Sequence, residues 1–299
     1  MNKFKILALA LAAAPAAAMA SSDSSLFSES LVGSADAGHG FYWNSANGTS
    51  DDSPVSASFS SSFTGMDGEG NTQTMLFNGE TTSQSDYGNL HVYTTASLAN
   101  SYYNSANPLY YDQSTNTLNP EGSPDSLSSL GFAGFTDTLQ FGGDLVNGYQ
   151  AIYIFHIDGT NTGDGALADL AVNVPGQDSQ SFFDGTPGYS ANDWTTTPFT
   201  VDGTDAQSIN VQFSDQAVLN TFDLTDGGTY SGTSDFSETL TLAGIELVDA
   251  NGHPFSGWTV SSASGTEYSQ VTSAPGPEAF LPFLGAVPVY LRRRRRQVA

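Results

Sequence analysis

Four histidines and 31 acidic side chains are the groups in this 299-residue chain suited to proton transfer or metal ligation. His39, His91, His156 and His253 lie far apart in the chain, and none makes the short spacing of a zinc pair. Glycoside hydrolysis needs two carboxyl groups roughly 5 to 10 Å apart. Among so many acids Glu238 is the first to inspect, because it is in phase with Phe236 and Leu240 and could point inward. A Ser-His-Asp triad needs no closeness in sequence, but the chain has no Gly-x-Ser-x-Gly elbow to mark a nucleophile.

Calcium is the ligand hypothesis the acids suggest first. Asp67, Glu69 and Asn71 place oxygens at alternate positions, as the start of an EF-hand loop does, yet Thr72 and Asn78 stand where that loop needs Gly and Glu. Asp158, Asn161, Asp164 and Asp169 offer a second oxygen-rich stretch that also departs from the loop pattern. Hairpin turns rich in Asp, Asn and Gly account for both stretches. The reading is therefore a chain with no catalytic residues and no required cofactor. Its rival is a secreted carbohydrate-binding, lectin-like protein or glycoside hydrolase that sets Trp43, Trp194 or Trp258 against sugar rings.

The elements that would position these groups are strands. In Val55 to Phe63 the residues Val55, Ala57, Phe59 and Phe63 alternate with serines, the period of a half-buried antiparallel strand. Similar segments recur at Thr74 to Phe77, Leu90 to Leu98, Phe135 to Phe141, Gln150 to Asp158, Leu167 to Val174, Ser208 to Phe213, Phe236 to Val248 and Gly257 to Ser261. Gln150 to Asp158 is apolar on both faces and is expected to be a central strand covered on both sides. Between Phe236 and Val248 the apolar phase slips near Gly244, the mark of a β-bulge. Tyr110 to Leu130 is expected to be the longest loop. No segment carries a helical apolar stripe, so the expected fold is all-β, an antiparallel β-sandwich of jelly-roll-like type.

The two ends have a different composition. Lys3 and Lys5 precede an apolar run from Ile6 to Ala18, and Ala18-Met19-Ala20 offers a small-x-small site before Ser21, the three regions of a secretory signal peptide. At the other end Pro277-Glu278 leads into the apolar segment Ala279 to Leu291 and then Arg292, Arg293, Arg294, Arg295 and Arg296. As a helix at about 1.5 Å per residue that segment reaches ~20 Å, against roughly 30 Å of hydrocarbon core. The arginines after it are a stop signal that holds their side in the cytoplasm. The expected divisions are a signal peptide (1–20), a polar lead (21–54), the sandwich body (55–272) and a sorting or anchor tail (273–299).

No Lys or Arg occurs from Ile6 to Leu291, while all 31 acids lie between Asp23 and Glu278. Phosphate affinity comes mainly from Lys and Arg, so nucleic acid is excluded as a partner of the body. Lysine Schiff bases and arginine clamps are excluded with it. With no cysteine there are no disulfides or thiolate metal sites, and stability rests on burial and backbone pairing.

The order Pro277-Glu278, short apolar segment, arginine cluster resembles the PEP-CTERM sorting tail of exported Gram-negative bacterial proteins. Gly276 and Ala279 replace the Val and Pro that flank the Pro-Glu centre of that family's motif. The stretch Thr239 to Tyr268, with Thr241 to Ile245, the turn Asp249-Ala-Asn-Gly252 and Ser262-Ala-Ser-Gly-Thr266, is similar to the hairpin that precedes this tail in the family. The resemblance implies an exported protein of the cell surface or a biofilm-type extracellular matrix. Its implied partners are signal peptidase, an exosortase-like sorting enzyme, the inner membrane during transient anchoring, and surface polysaccharide. It supplies no catalytic residues.

Overall fold

The computed structural model describes residues 24–36, 40–66, 70–100, 110–112, 117–119, 125–143, 145, 148–163, 165–184, 190–201, 206–220 and 229–271. All regular elements among them are strands: β1 (Ser24–Asp36), β2 (Gly40–Thr49), β3 (Val55–Met66), β4 (Thr72–Asp86), β5 (Asn89–Asn100), β6 (Tyr110–Asp112), β7 (Thr117–Asn119), β8 (Asp125–Gly143) and β9 (Gln150–Gly163). There follow β10 (Ala166–Asn173), β11 (Gln180–Asp184), β12 (Ser190–Thr195), β13 (Phe199–Thr200), β14 (Ala206–Asn220), β15 (Thr229–Val248), β16 (Trp258–Ser262) and β17 (Gln270–Val271).

They form two sheets and a small β6-β7 hairpin. One sheet runs β11-β10-β14-β8-β1-β2, and the other runs β12-β9-β15-β5-β4-β3. Their inward faces meet in shared apolar packing, as Phe135 of β8 and Phe213 of β14 do with Tyr153 of β9 and Phe236 of β15. The chain passes from one sheet to the other after β2, β5, β8, β9, β11, β13, β14, β15 and β16, the β6-β7 hairpin aside. This is the expected antiparallel, jelly-roll-like sandwich.

The two longest strands are the spines, and each is edged by more than one partner. β1 pairs with β8 from Asp125 to Asp137, and where β1 ends β16 continues along the same edge from Leu139 to Gly143. β15 pairs with β9 on one side and β5 on the other, and β17 then adds a parallel pairing, the only one among the described residues, at Ile245 and Glu246. The slip inferred near Gly244 is a register shift between Leu242 and Gly244. A second shift between Phe236 and Leu240 was not legible in the apolar phase.

Three expectations are corrected. The sandwich begins at Ser24 and not at Val55, because β1 and β2 occupy the β8 sheet where a polar lead was expected. β8 begins at Asp125, inside the expected loop Tyr110 to Leu130. The final hairpin opens as expected, with Val248 bridging Pro254 across the turn, but the returning strand β16 leaves β15 and joins β8 in the opposite sheet. The expected central strand, β9, is internal and buried on both faces from Tyr153 to Phe155, while His156 and Asp158 are exposed.

β1 and the start of β8 were missed for one cause: their inward residues are hydroxylic. Ser28 and Ser30 of β1, Ser83 and Ser85 of β4, and Ser129 of β8 are all buried on the inward faces. Ser28 Oγ lies 2.8 Å from Ser85 Oγ, Ser30 Oγ lies 3.1 Å from Ser83 Oγ, and Ser129 Oγ donates to the Thr95 carbonyl at 2.7 Å. Short side chains let the sheets approach. A Cβ on Gly131 would stand 2.3 Å from Val92 Cγ1, and one on Gly79 2.5 Å from Val32 Cγ1. This polar belt separates the main apolar core from a smaller cluster of Met75, Phe77, Ala96, Leu98, Ala217 and Leu219. Along β14 the inward sequence accordingly reads Phe213, Asp215, Ala217, and along β5 it reads Val92, Thr94, Ala96.

Candidate functional site

The outward face of the β15 sheet is built of hydroxyls in cross-strand rows. Ser56 faces Thr82 at 2.9 Å, Ser60 donates to Asn78 Oδ1 at 2.7 Å, Thr95 faces Thr233 at 3.1 Å, and Thr241 donates to Asn89 Oδ1 at 3.0 Å. Such pairs contribute roughly 0.2 to 1 kcal/mol each. They also leave the face hydrated and rich in donors and acceptors.

Within it lies a hollow of about 410 Å³ lined by Thr82, Gln84, His91, Tyr93 and Ser237. Register explains the assembly. Thr82 pairs with Tyr93 and Gln84 with His91, while Tyr93 pairs with Asp235 on the other side. The bulge after Phe236 then turns Ser237 toward β5, so that its carbonyl accepts from His91 Nδ1 at 2.8 Å. A carbonyl can only accept, so the proton of the neutral imidazole is on Nδ1 and Nε2 is an acceptor. Asp235 Oδ1 fixes the bulge by accepting from Ser237 Oγ at 2.6 Å and from its backbone N–H at 3.2 Å. One half-buried tyrosine ring, an imidazole, an amide and hydroxyls in a hollow of ligand size form a surface that can stack on and hydrogen-bond a polyol ring.

A smaller hollow of about 70 Å³ lies on the outward face of the β8 sheet, among Phe27, Phe132, Asp169, Gln212 and Ser214. Asp169, Ser214, Phe132 and Glu29 form one cross-strand row there. Burial raises the pKa of both Asp169 and Glu29. The space takes a small group rather than a sugar ring.

The structure separates most of the residues singled out from the sequence. Asp158 is exposed on β9 and Asn161 is fully buried on its opposite face, so the second calcium stretch is strand and its oxygens diverge. Asp67, Glu69 and Asp164 lie outside the described residues, and Asn71 is exposed. His156 Nδ1 meets Asp193 Oδ1 at 2.7 Å on the surface, the His-Asp half of a triad, but the cross-strand hydroxyl beside it, Thr241, gives its proton to Asn89. His253 sits in the Asp249 turn, 3.2 Å from Asp249 Oδ2. His39 and the side chains of Trp43 and Glu238 lie outside the described residues, as do Ala18, Ala20, Ser21, Pro277, Glu278 and the five arginines.

Of the other tryptophans, Trp258 is buried against Phe141, and Trp194 packs between Phe155 and Phe182 with ring centroids 5.7 and 6.4 Å away. Both serve the core and not a sugar platform. Tyr93, Gln84 and Ser237 were missed by sequence reasoning. The signal available was the outward phase of His91 between Leu90 and Val92, which Tyr93 continues; the bulge that brings Ser237 alongside left none.

No family model and no curated protein matches the chain. Among solved structures it is similar to a carbohydrate-binding module in complex with β-1,4-galactotriose, at 12% identity and a TM-score of 0.21, over 52% of this chain and 88% of that one. It is also similar to a structure from work on the promiscuous specificity of carbohydrate-binding modules of the β-sandwich superfamily, at 9% identity and a TM-score of 0.20, over 73% of this chain and 85% of that one.

Proposed function

We propose that this chain is a non-enzymatic exported protein of the cell surface or extracellular matrix, of biofilm type, sorted by its C-terminal tail. The observation that carries the reading is a body free of Lys and Arg set between an apolar leader ending in Ala18-Met19-Ala20 and the Pro277-Glu278, apolar, five-arginine tail. The outward hydroxyl rows of the β15 sheet support it, since they present a hydrated face to a polymer-rich surrounding. The test is surface labelling of intact cells that make the full chain or a chain ending at residue 272. The full chain is expected to be labelled and the truncated chain released into the medium. Equal retention of both at the surface would overturn the sorting role.

A second reading, contact with surface polysaccharide, is favoured by the hollow at Tyr93 and His91. Binding to a polysaccharide from the producing cell is expected to fall at least tenfold in Tyr93→Ala while the midpoint of unfolding moves little. An undiminished affinity would remove the hollow from consideration.

A further inference from the structure

The polar belt contains one level lined with oxygen and, among the described residues, supplied with no counter-charge. In the β15 sheet Asn161, Ser234, Thr94 and Thr81 form a cross-strand row, and in the β8 sheet Ala168, Asp215, Gly131 and Ser30 form another. The rows face each other. A Cβ on Gly131 would stand 2.8 Å from Thr81 Oγ1, and Ser234 Oγ lies 3.4 Å from the Leu167 carbonyl.

Asp215 is fully buried, and neither of its carboxylate oxygens has a hydrogen-bond partner. Thr94 Oγ1 and Thr81 Oγ1 are buried in the same condition. Ser234 lies beside Asp215, but its single proton goes to Asn161 Oδ1 at 2.7 Å. The body has no Lys or Arg, His156 and His253 are exposed, and His91 is turned to the outer face. A bare ionised carboxylate is costly in such a place, and proteins keep one there when it is paired or bound to a metal.

We propose that this level is a binding site for a hard metal cation of the sodium or calcium class, with Asp215 as the anionic ligand and Ser234, Thr94 and Asn161 as neutral oxygen ligands. Hard cations take oxygen ligands, and oxygen is what these side chains present. The ion ties the two sheets together at the depth where serines and glycines interrupt the apolar core. Asn161 belongs also to the oxygen-rich stretch Asp158 to Asp169, but the anionic ligand here is Asp215, which belongs to neither that stretch nor Asp67 to Asn71.

The test is thermal unfolding of the full chain in choline, sodium and calcium chlorides at matched ionic strength, with native mass spectrometry of the same samples. Choline screens charge but cannot enter an oxygen cage. Sodium or calcium is expected to raise the midpoint above choline by about 5 °C or more at a hundredfold excess over Kd, in a saturating way, with one ion bound per chain. The salt that acts names the ion. Asp215→Asn abolishes the gain and Asp158→Asn leaves it. If Asp215→Asn does not fold, Thr94→Val takes its place and is expected to weaken the ion at least tenfold. Coincident curves in the three salts with a metal-free mass would make Asp215 a protonated acid and overturn the site. So would a gain that survives in Asp215→Asn, or an ion affinity undiminished in Thr94→Val.

Discussion

Tyr268 Oη donates to Asp137 Oδ2 at 2.8 Å, joining the end of the described chain to the middle of β8. The same carboxylate accepts from Ser264 Oγ at 2.6 Å, and its other oxygen accepts from the backbone N–H groups of Thr138 and Ser264 at 2.9 and 3.1 Å. Asp137 is fully buried, so four donors replace the water it has lost. The stretch Ser262 to Thr266 is therefore a latch that closes the sandwich near the end of the described residues. Tyr268→Phe and Ser264→Ala are each expected to lower stability by about 1 to 3 kcal/mol, and Asp137→Ala by more, read as denaturation midpoints. Unchanged midpoints would show that the latch is not part of the folded state.

The serine and glycine belt makes a prediction about volume. Gly131→Ala puts a methyl 2.3 Å from Val92 Cγ1, in the seam between the sheets. It is expected to cost about 1 to 3 kcal/mol or more, since close-packed interiors resist added volume. Gly48→Ala is the matched control, because the nearest atom to its new methyl is 3.5 Å away. Its midpoint is expected within about 0.5 kcal/mol of the parent. Equal effects of the two substitutions would contradict the close approach of the sheets.

The belt also explains what was legible in the sequence. Strands that alternate apolar and polar residues, such as Val55 to Phe63 and Leu90 to Leu98, announce themselves, and so does the bulge at Gly244, because a phase slip is visible in apolar residues. β1 and the start of β8 bury serine, and a serine that faces inward looks the same in sequence as one that faces water. The course of β16 was hidden for another reason. Asp249 to Pro254 reads as a hairpin turn, and it is one, but sheet membership is decided afterwards, from Trp258 on, by the edge that β1 leaves free on β8. The hollow at Tyr93 depends on that kind of long-range pairing, and Asp215 gives no sign of burial beyond its phase with Phe213 and Ala217.

The Asp249 turn sets a pH dependence. Asp249 accepts from the backbone N–H groups of Asn251 at 2.8 Å and His253 at 2.9 Å. Led by the His253 bond, these hold its carboxyl down at about 2. The folded value lies below the unfolded one, so the contribution to stability is complete above the ordinary aspartate range near 3.9 and is lost as pH falls toward 2. Asp249→Ala is expected to lower the unfolding midpoint at pH 7 and to have a smaller effect at pH 2. A difference that grows on acidification would reverse the assigned sign.

Processing and composition together predict an unusual digest. A body without Lys or Arg offers trypsin no site between Ile6 and Leu291. Protein recovered from outside the cell is expected to survive trypsin intact even when unfolded in urea, while a protease that cuts after aromatic residues degrades it under the same conditions. Tryptic fragments from within 21–277 would contradict the reading of the mature chain.

Export followed by sorting through the tail is open to a direct test by intact mass. The measurement is the mass of the chain recovered separately from the cell surface and the medium of the producing organism. The account predicts a species that starts near Ser21 and ends near Pro277, without Arg292 to Arg296. A chain confined to the cytoplasm with residues 1–20 still attached would contradict export, and a surface chain that keeps all five arginines would contradict processing of the tail.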